Sequence, residues 1–130
     1  MRLALFAGLM LAATSATAQQ ENLVVQHADG AILRALDTST GKLLDIDIGT
    51  GQTLKFERLE ITLSDCRYPE ENPSSDAFAY LTIRDIRETD PRFEGWMVAS
   101  SPALSAMDHP RYDVWVLRCR IPEAEASTGD

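Results

Sequence analysis

The residues able to do chemistry crowd into one stretch, GWMVASSPALSAMDHPRYDVWVLRC, from Gly95 to Cys119. Ser100 or Ser101 could serve as a nucleophile, His109 as its base, and Asp108 or Asp113 as the carboxylate that orients the base. That would be hydrolytic or acyl-transfer chemistry. The same residues also read structurally. Ser101 stands as a helix N-cap, with Pro102 at the first helical position and Pro110 as the stop. Asp108 and His109 then lie at the helix end, where an imidazole complements the dipole. Neither serine sits in a G-x-S-x-G elbow. No catalytic residue is therefore assigned. A binding surface of Trp96, Ser100, Ser101, His109, Tyr112 and Asp113 is favoured, and an envelope hydrolase using Ser100 or Ser101 with His109 and Asp113 is the alternative.

Other chemistries find less. A metal centre needs three or four converging ligands, and the histidines are only His27 and His109. No D-x-D-x-D-G calcium loop occurs. The glycines of TSTGK and GTGQ suit hairpins rather than a phosphate cradle, because no helix follows them. No metal and no cofactor are expected. Pairs such as Glu70 and Glu71, or Glu123 and Glu125, fall in polar loop or tail and read as solvated.

The elements that must position the Gly95–Cys119 block begin after a leader. MRLALFAGLMLAATSATAQQ has one cation at Arg2, an apolar run from Leu3 to Ala13, and small residues up to Ala18. This is the pattern of a signal peptide over residues 1–18. Its apolar run is shorter than the roughly 20 residues of a membrane span. A periplasmic or secreted protein is expected, without a membrane span once the leader is removed. Losing Arg2 leaves 11 Lys and Arg (12 − 1) against 20 Asp and Glu, a net charge of −9. Such acidity disfavours nucleic acid and anionic lipid as partners, so the expected partner is an envelope protein or another periplasmic component.

Cys66 and Cys119 are the two cysteines. Export to an oxidising compartment and the lack of a C-x-x-C motif point to a structural disulfide between them. Closing that loop stabilises the fold by roughly 4 kcal/mol in the chain-entropy model.

Between the cysteines and around them the pattern is β. Residues 19–30 form a lead-in, or an edge strand. AILRALD, the turn TSTGK and the alternating LLDIDIG form a hairpin. In TLKFERLEITLSDC, Leu54 and Phe56 share one parity and Leu59, Ile61 and Leu63 the other, which places a bulge or kink at Glu57-Arg58. Cys66 then falls with Glu60, Thr62 and Ser64 on the more polar face. RYPEENPSSD is a loop, and AFAYLTIRDI, FEGWMVAS and YDVWVLRC are strands, with Trp115 read as core through its parity with Leu117. The expectation is a single all-β domain over residues 31–121: a small disulfide-linked β-sandwich or partly open barrel, with one short crossover helix of roughly two turns. Residues 122–130 read as a disordered tail.

The long Trp96–Trp115 block, with LDTSTGK, FERLEITLSDC and AFAYLTIRD, resembles an uncharacterised family of small exported Gram-negative proteins, a domain of unknown function. The resemblance spans Ala31 to Cys119. It implies a periplasmic or secreted location and marks Cys66 and Cys119 as family positions, with no established activity to carry over. Ser100, Ser101, His109, Tyr112 and Asp113 match the family pattern. This chain departs from it at Thr38, Glu57, Val98, Asp108 and Arg111, where Lys, Gly, Phe, Glu and Val are usual. Thr38 argues against an essential lysine there, and a glycine in place of Glu57 would suit the kink. The leading expectation is a non-enzymatic binding or interaction module of the cell envelope. A third reading makes the block a latch that ties two Trp-bearing strands together.

Overall fold

The computed structural model describes residues 22–122, so the leader and most of the acidic tail lie outside the described residues. Eight strands follow one another: β1 (Val25–His27), β2 (Gly30–Asp37), β3 (Lys42–Gly49), β4 (Thr53–Phe56), β5 (Leu59–Pro69), β6 (Phe78–Asp85), β7 (Phe93–Val98) and β8 (Tyr112–Cys119). Sheet A runs β1-β5-β6-β7, with β4 also paired to β5, and sheet B runs β3-β2-β8. All pairings are antiparallel. The sheets face each other without closing, so the open sandwich holds and the barrel alternative does not.

Alternation explains the layers. Ala31, Leu33 and Ala35 of β2, Ile61 and Leu63 of β5, Leu81 and Ile83 of β6, and Val114 and Val116 of β8 point inward and are buried. Each larger aliphatic among them contributes about 1.5–3 kcal/mol by leaving water. The AILRALD–LLDIDIG hairpin forms as expected, with Ala31 opposite Ile48 and Asp37 opposite Lys42. Gly41 at φ +75° closes its turn. Gly30 is required for a different reason: a Cβ there would meet the Ile48 carbonyl oxygen at 2.5 Å.

Four local expectations are corrected. The parity change at Glu57-Arg58 is a tight hairpin rather than a bulge, since Phe56 pairs directly with Leu59 and Glu57 adopts φ +51°. A true irregularity lies further on, between Leu63 and Asp65. It flips the strand's parity and turns Cys66 inward, so the disulfide to Cys119 is buried rather than peripheral. It ties β5 of sheet A to β8 of sheet B. The crossover helix is one short 3-10 turn, Pro102–Ser105, and Ser101 makes no side-chain cap to it. Trp115 lies half-buried on the outer face of sheet B, because the small β-branched Val114 and Val116 take the inward positions.

The connection from β7 to β8, residues 99–111, sets the site. It leaves beside the start of β6, where Val98 pairs with Phe78, and arrives beside the ends of β6 and β2. It thus runs back along the open side of the sandwich, and Met107 plugs into the core. No helix of the described residues is long and apolar enough to cross a membrane.

Candidate binding site

The crossover is fastened at its start by Asp76. The Ser100 amide donates to Asp76 Oδ1 at 3.0 Å and its hydroxyl to Oδ2 at 2.7 Å, while the Ala99 amide donates to the Ala77 carbonyl at 2.9 Å. Ser100 is thereby committed to a carboxylate on the β5–β6 loop.

At its end the crossover is fastened to both sheets at once. Asp85, closing β6, and Asp37, closing β2, are the two buried carboxylates among the described residues. Each first accepts a turn amide, Arg87 N–H on Asp85 Oδ1 and Ser39 N–H on Asp37 Oδ1, both at 3.0 Å. Their second partners come from the crossover. His109 Nε2 lies 3.0 Å from Asp85 Oδ2, and the Arg111 guanidinium reaches both Asp37 oxygens at 3.1 and 2.9 Å. The chain between 109 and 111 therefore bolts sheet A to sheet B.

The tautomer of His109 follows from its donors. Nδ1 receives the backbone N–H groups of Arg111 at 3.0 Å and Tyr112 at 3.2 Å, so it must be an acceptor. Nε2 then carries the proton and donates to Asp85. With both nitrogens engaged and the side chain only 2% exposed, the imidazole has no free lone pair to accept a serine proton. The Arg87 amide and then the His109 ring hold the Asp85 carboxyl below the usual aspartate range. Asp37 is lowered likewise, first by its bond from Arg111.

Tyr112 completes the bolt. Its ring is 1% exposed, 4.9 Å from the His109 ring and edge-on to Phe56 at 6.1 Å. The Arg58 and Arg111 guanidinium groups lie 5.5 and 5.3 Å from it. Donor atoms of Asp85, Glu88 and His109 fall within 4.8 Å of one another. To coordinate a cation, His109 would have to surrender the Nε2 proton while Nδ1 still accepts two amides, and Glu88 is already doubly bonded by Arg92 at 2.6 and 2.8 Å. The trio behaves as a hydrogen-bond network.

Between these anchors the crossover turns outward. Leu104 is 77% exposed. Pro102, Ala103 and Ala106 form one wall of a shallow groove of about 360 Å³, and Asp113 and Trp115 form the opposite wall. Asp113 is exposed in its lining, and its side chain accepts no hydrogen bond and forms no salt bridge among the described residues. Asp108 is exposed outside that lining, and its charge acts on Arg92. The expected binding set is thus divided. His109 and Tyr112 are buried in the bolt, Ser100 is engaged with Asp76, and Ser101 contributes its amide to the Val98 carbonyl at 3.1 Å. Asp113 remains open. Trp96 lies elsewhere, on the outer face of sheet A, edge-on to Tyr80 at 5.3 Å and under the Arg67 guanidinium at 4.7 Å. Asp37, Asp76, Asp85 and Leu104 were not legible as site residues.

A family model described as an uncharacterised protein conserved in bacteria, DUF2155, matches residues 31–119. The chain belongs to the DUF2155 family. All three anchoring carboxylates, Asp37, Asp76 and Asp85, both ends of the crossover and both cysteines of this DUF2155 chain fall within the matched span. It is similar to "Uncharacterized protein RP359" of Rickettsia prowazekii (strain Madrid E), 30% identical over 96 residues. Those residues are 72% of this chain and 61% of that protein, so the match spans about three fifths of the relative's length. No solved structure matches.

Proposed function

We propose that this DUF2155 chain is an exported, non-enzymatic binding module that docks a protein of the cell envelope on the middle of its crossover. One observation carries the reading: a connection fastened at both ends to carboxylates holds Leu104, an aliphatic side chain, 77% exposed between them. Loops that a rigid scaffold holds in place are common binding elements, and ordering such a loop in advance lowers the entropic cost of association. Leu104 is the plug exposed on the crossover, Trp115 a wall of the groove that runs along the crossover, and Asp113 the groove's acidic rim. The complementary partner is a protein with an apolar pocket flanked by Lys or Arg. The leader sequence and the buried disulfide support export.

In-cell cross-linking followed by mass spectrometry, comparing wild type with Leu104→Asp at matched melting temperatures, tests this. The docking surface predicts an adduct that the variant loses. An adduct retained equally by both proteins overturns the reading.

A further inference from the structure

We infer that a second copy of this chain pairs with the free edge of β3, extending sheet B across a two-fold axis. This stands apart from the crossover. Strand edges are normally shortened, covered or charged to prevent such pairing. β1 has three residues and β4 four, β7 packs against the 3-10 turn, and the open side of β8 is covered, since Val114 and Val116 are buried to 3% and 2% exposure. β3 is eight residues long, and among the described residues it pairs with β2 alone.

The register identifies what that edge offers. The Thr50 amide donates to the Asp29 carbonyl at 2.8 Å, which marks a hydrogen-bonded pair just beyond Gly30 and Gly49. Alternation then directs the backbone groups of Ile48, Ile46 and Leu44 toward β2 and those of Asp47, Asp45 and Leu43 outward. Gly49 agrees with this phase, because its outward amide is taken by Gln52 Oε1 at 2.9 Å. Leu43, Asp45 and Asp47 are exposed, and nothing among the described residues receives their outward amides.

The charges that would guard this edge are already neutralised within the chain. Arg34 grips Asp45 at 2.7 and 3.1 Å, Arg120 grips Asp47 at 2.6 Å, and Lys42 meets Glu57 at 2.6 Å. What remains uncompensated is apolar: Leu43 is 55% and Leu44 45% exposed. Antiparallel self-pairing centred on Leu44 sets Leu43 against the second copy's Asp45 and avoids any Asp–Asp opposition. Centring on Asp45 or Ile46 would oppose carboxylates. The chain's own tail, EAEASTGD, is a poor occupant because it adds three carboxylates and no large apolar residue. So short a pairing buries less than a stable interface needs, which makes the dimer weak and concentration-dependent.

The test exploits the central pair. Leu44 would face its own copy in a non-hydrogen-bonded pair with Cα atoms about 4.5 Å apart, within disulfide reach, whereas the two Leu43 positions would be beyond roughly 7 Å. The described residues hold no other free thiol. Under mild oxidation Leu44→Cys is expected to form a covalent dimer at least about tenfold faster than Leu43→Cys. Sedimentation equilibrium of the otherwise wild-type chain is expected to show a dimer that Leu43→Glu weakens about tenfold, by setting an unpaired carboxylate in the seam in place of an apolar side chain. Equal or absent cross-linking in variants that melt normally, or a wild type that stays monomeric at its solubility limit, overturns the inference.

Discussion

His109 donates its Nε2 proton to Asp85 at 3.0 Å while its Nδ1 accepts two backbone amides, so a residue that reads as a general base is instead a structural crosspiece. With the Arg111–Asp37 pair beside it, the end of the crossover bolts the last residues of β2 and β6 together. Its consequence is that the crossover's exposed middle is held in place between its two fastened ends.

Removing the crosspiece should be costly. His109→Ala strips a buried carboxylate of its side-chain donor and leaves two amides without an acceptor. We expect a loss of about 2–4 kcal/mol, or a melting temperature lower by roughly 10–25 °C. Thermal denaturation followed by circular dichroism measures this, and a fall of only about 3 °C would deny His109 the role.

The two buried anchoring carboxylates, Asp37 and Asp85, make a signed prediction about acid. Both are held below the ordinary aspartate value of 3.8, Asp37 mainly by Arg111 and Asp85 mainly by the Arg87 amide. The unfolded chain therefore binds these protons first. Their stabilisation is complete above that value and disappears as pH falls through the depressed native values. Asp37→Asn and Asp85→Asn should each lower the urea midpoint at pH 7, with the gap to wild type narrowing below pH 3.8. A gap that stays constant down to pH 2 contradicts this.

Much of the fold was legible in local pattern. The alternation of Leu44, Ile46 and Ile48 and the TSTGK turn specify the β2–β3 hairpin, and two lone cysteines with no C-x-x-C motif, behind a leader-like pattern, point to their bond. Trp115 misleads because size suggests core, whereas Val114 and Val116 fit the narrow space between the sheets. The Leu63–Asp65 irregularity that turns Cys66 inward leaves no mark in a period-2 pattern. The bolt is non-local: Arg111 lies 74 residues from Asp37, and His109 lies 24 from Asp85. The one local signal was an aspartate ending each apolar strand, placed to accept the amide two residues on.

The disulfide should dominate the stability of so small a domain. Replacing Cys66 and Cys119 together by Ala is expected to cost about 4 kcal/mol, because the open loop regains its entropy when unfolded. Urea titration of the oxidised wild type against the double variant reads the difference directly. A cost below about 1 kcal/mol would mean that sheet packing alone closes the loop.

Glu57 offers a change of opposite sign. It holds φ +51° in the β4–β5 turn, a conformation that costs a residue with a Cβ roughly 1 kcal/mol, while its exposed pair with Lys42 returns less. Glu57→Gly should leave the protein as stable or stabilise it by about 0.5 kcal/mol. Calorimetry would contradict the strain argument by showing a loss above about 1 kcal/mol.

The claim that the crossover's exposed middle is the docking surface can be tested by position. A photoreactive residue is placed at Leu104 in one protein and at the exposed Lys55 of β4 in another, and the cross-linked products formed in the producing cells are compared. The account predicts an adduct at Leu104, none at Lys55, and loss of the Leu104 adduct when Asp113→Lys reverses the rim's charge in a protein that melts normally. Identical adducts from both positions, or none from either, would contradict it.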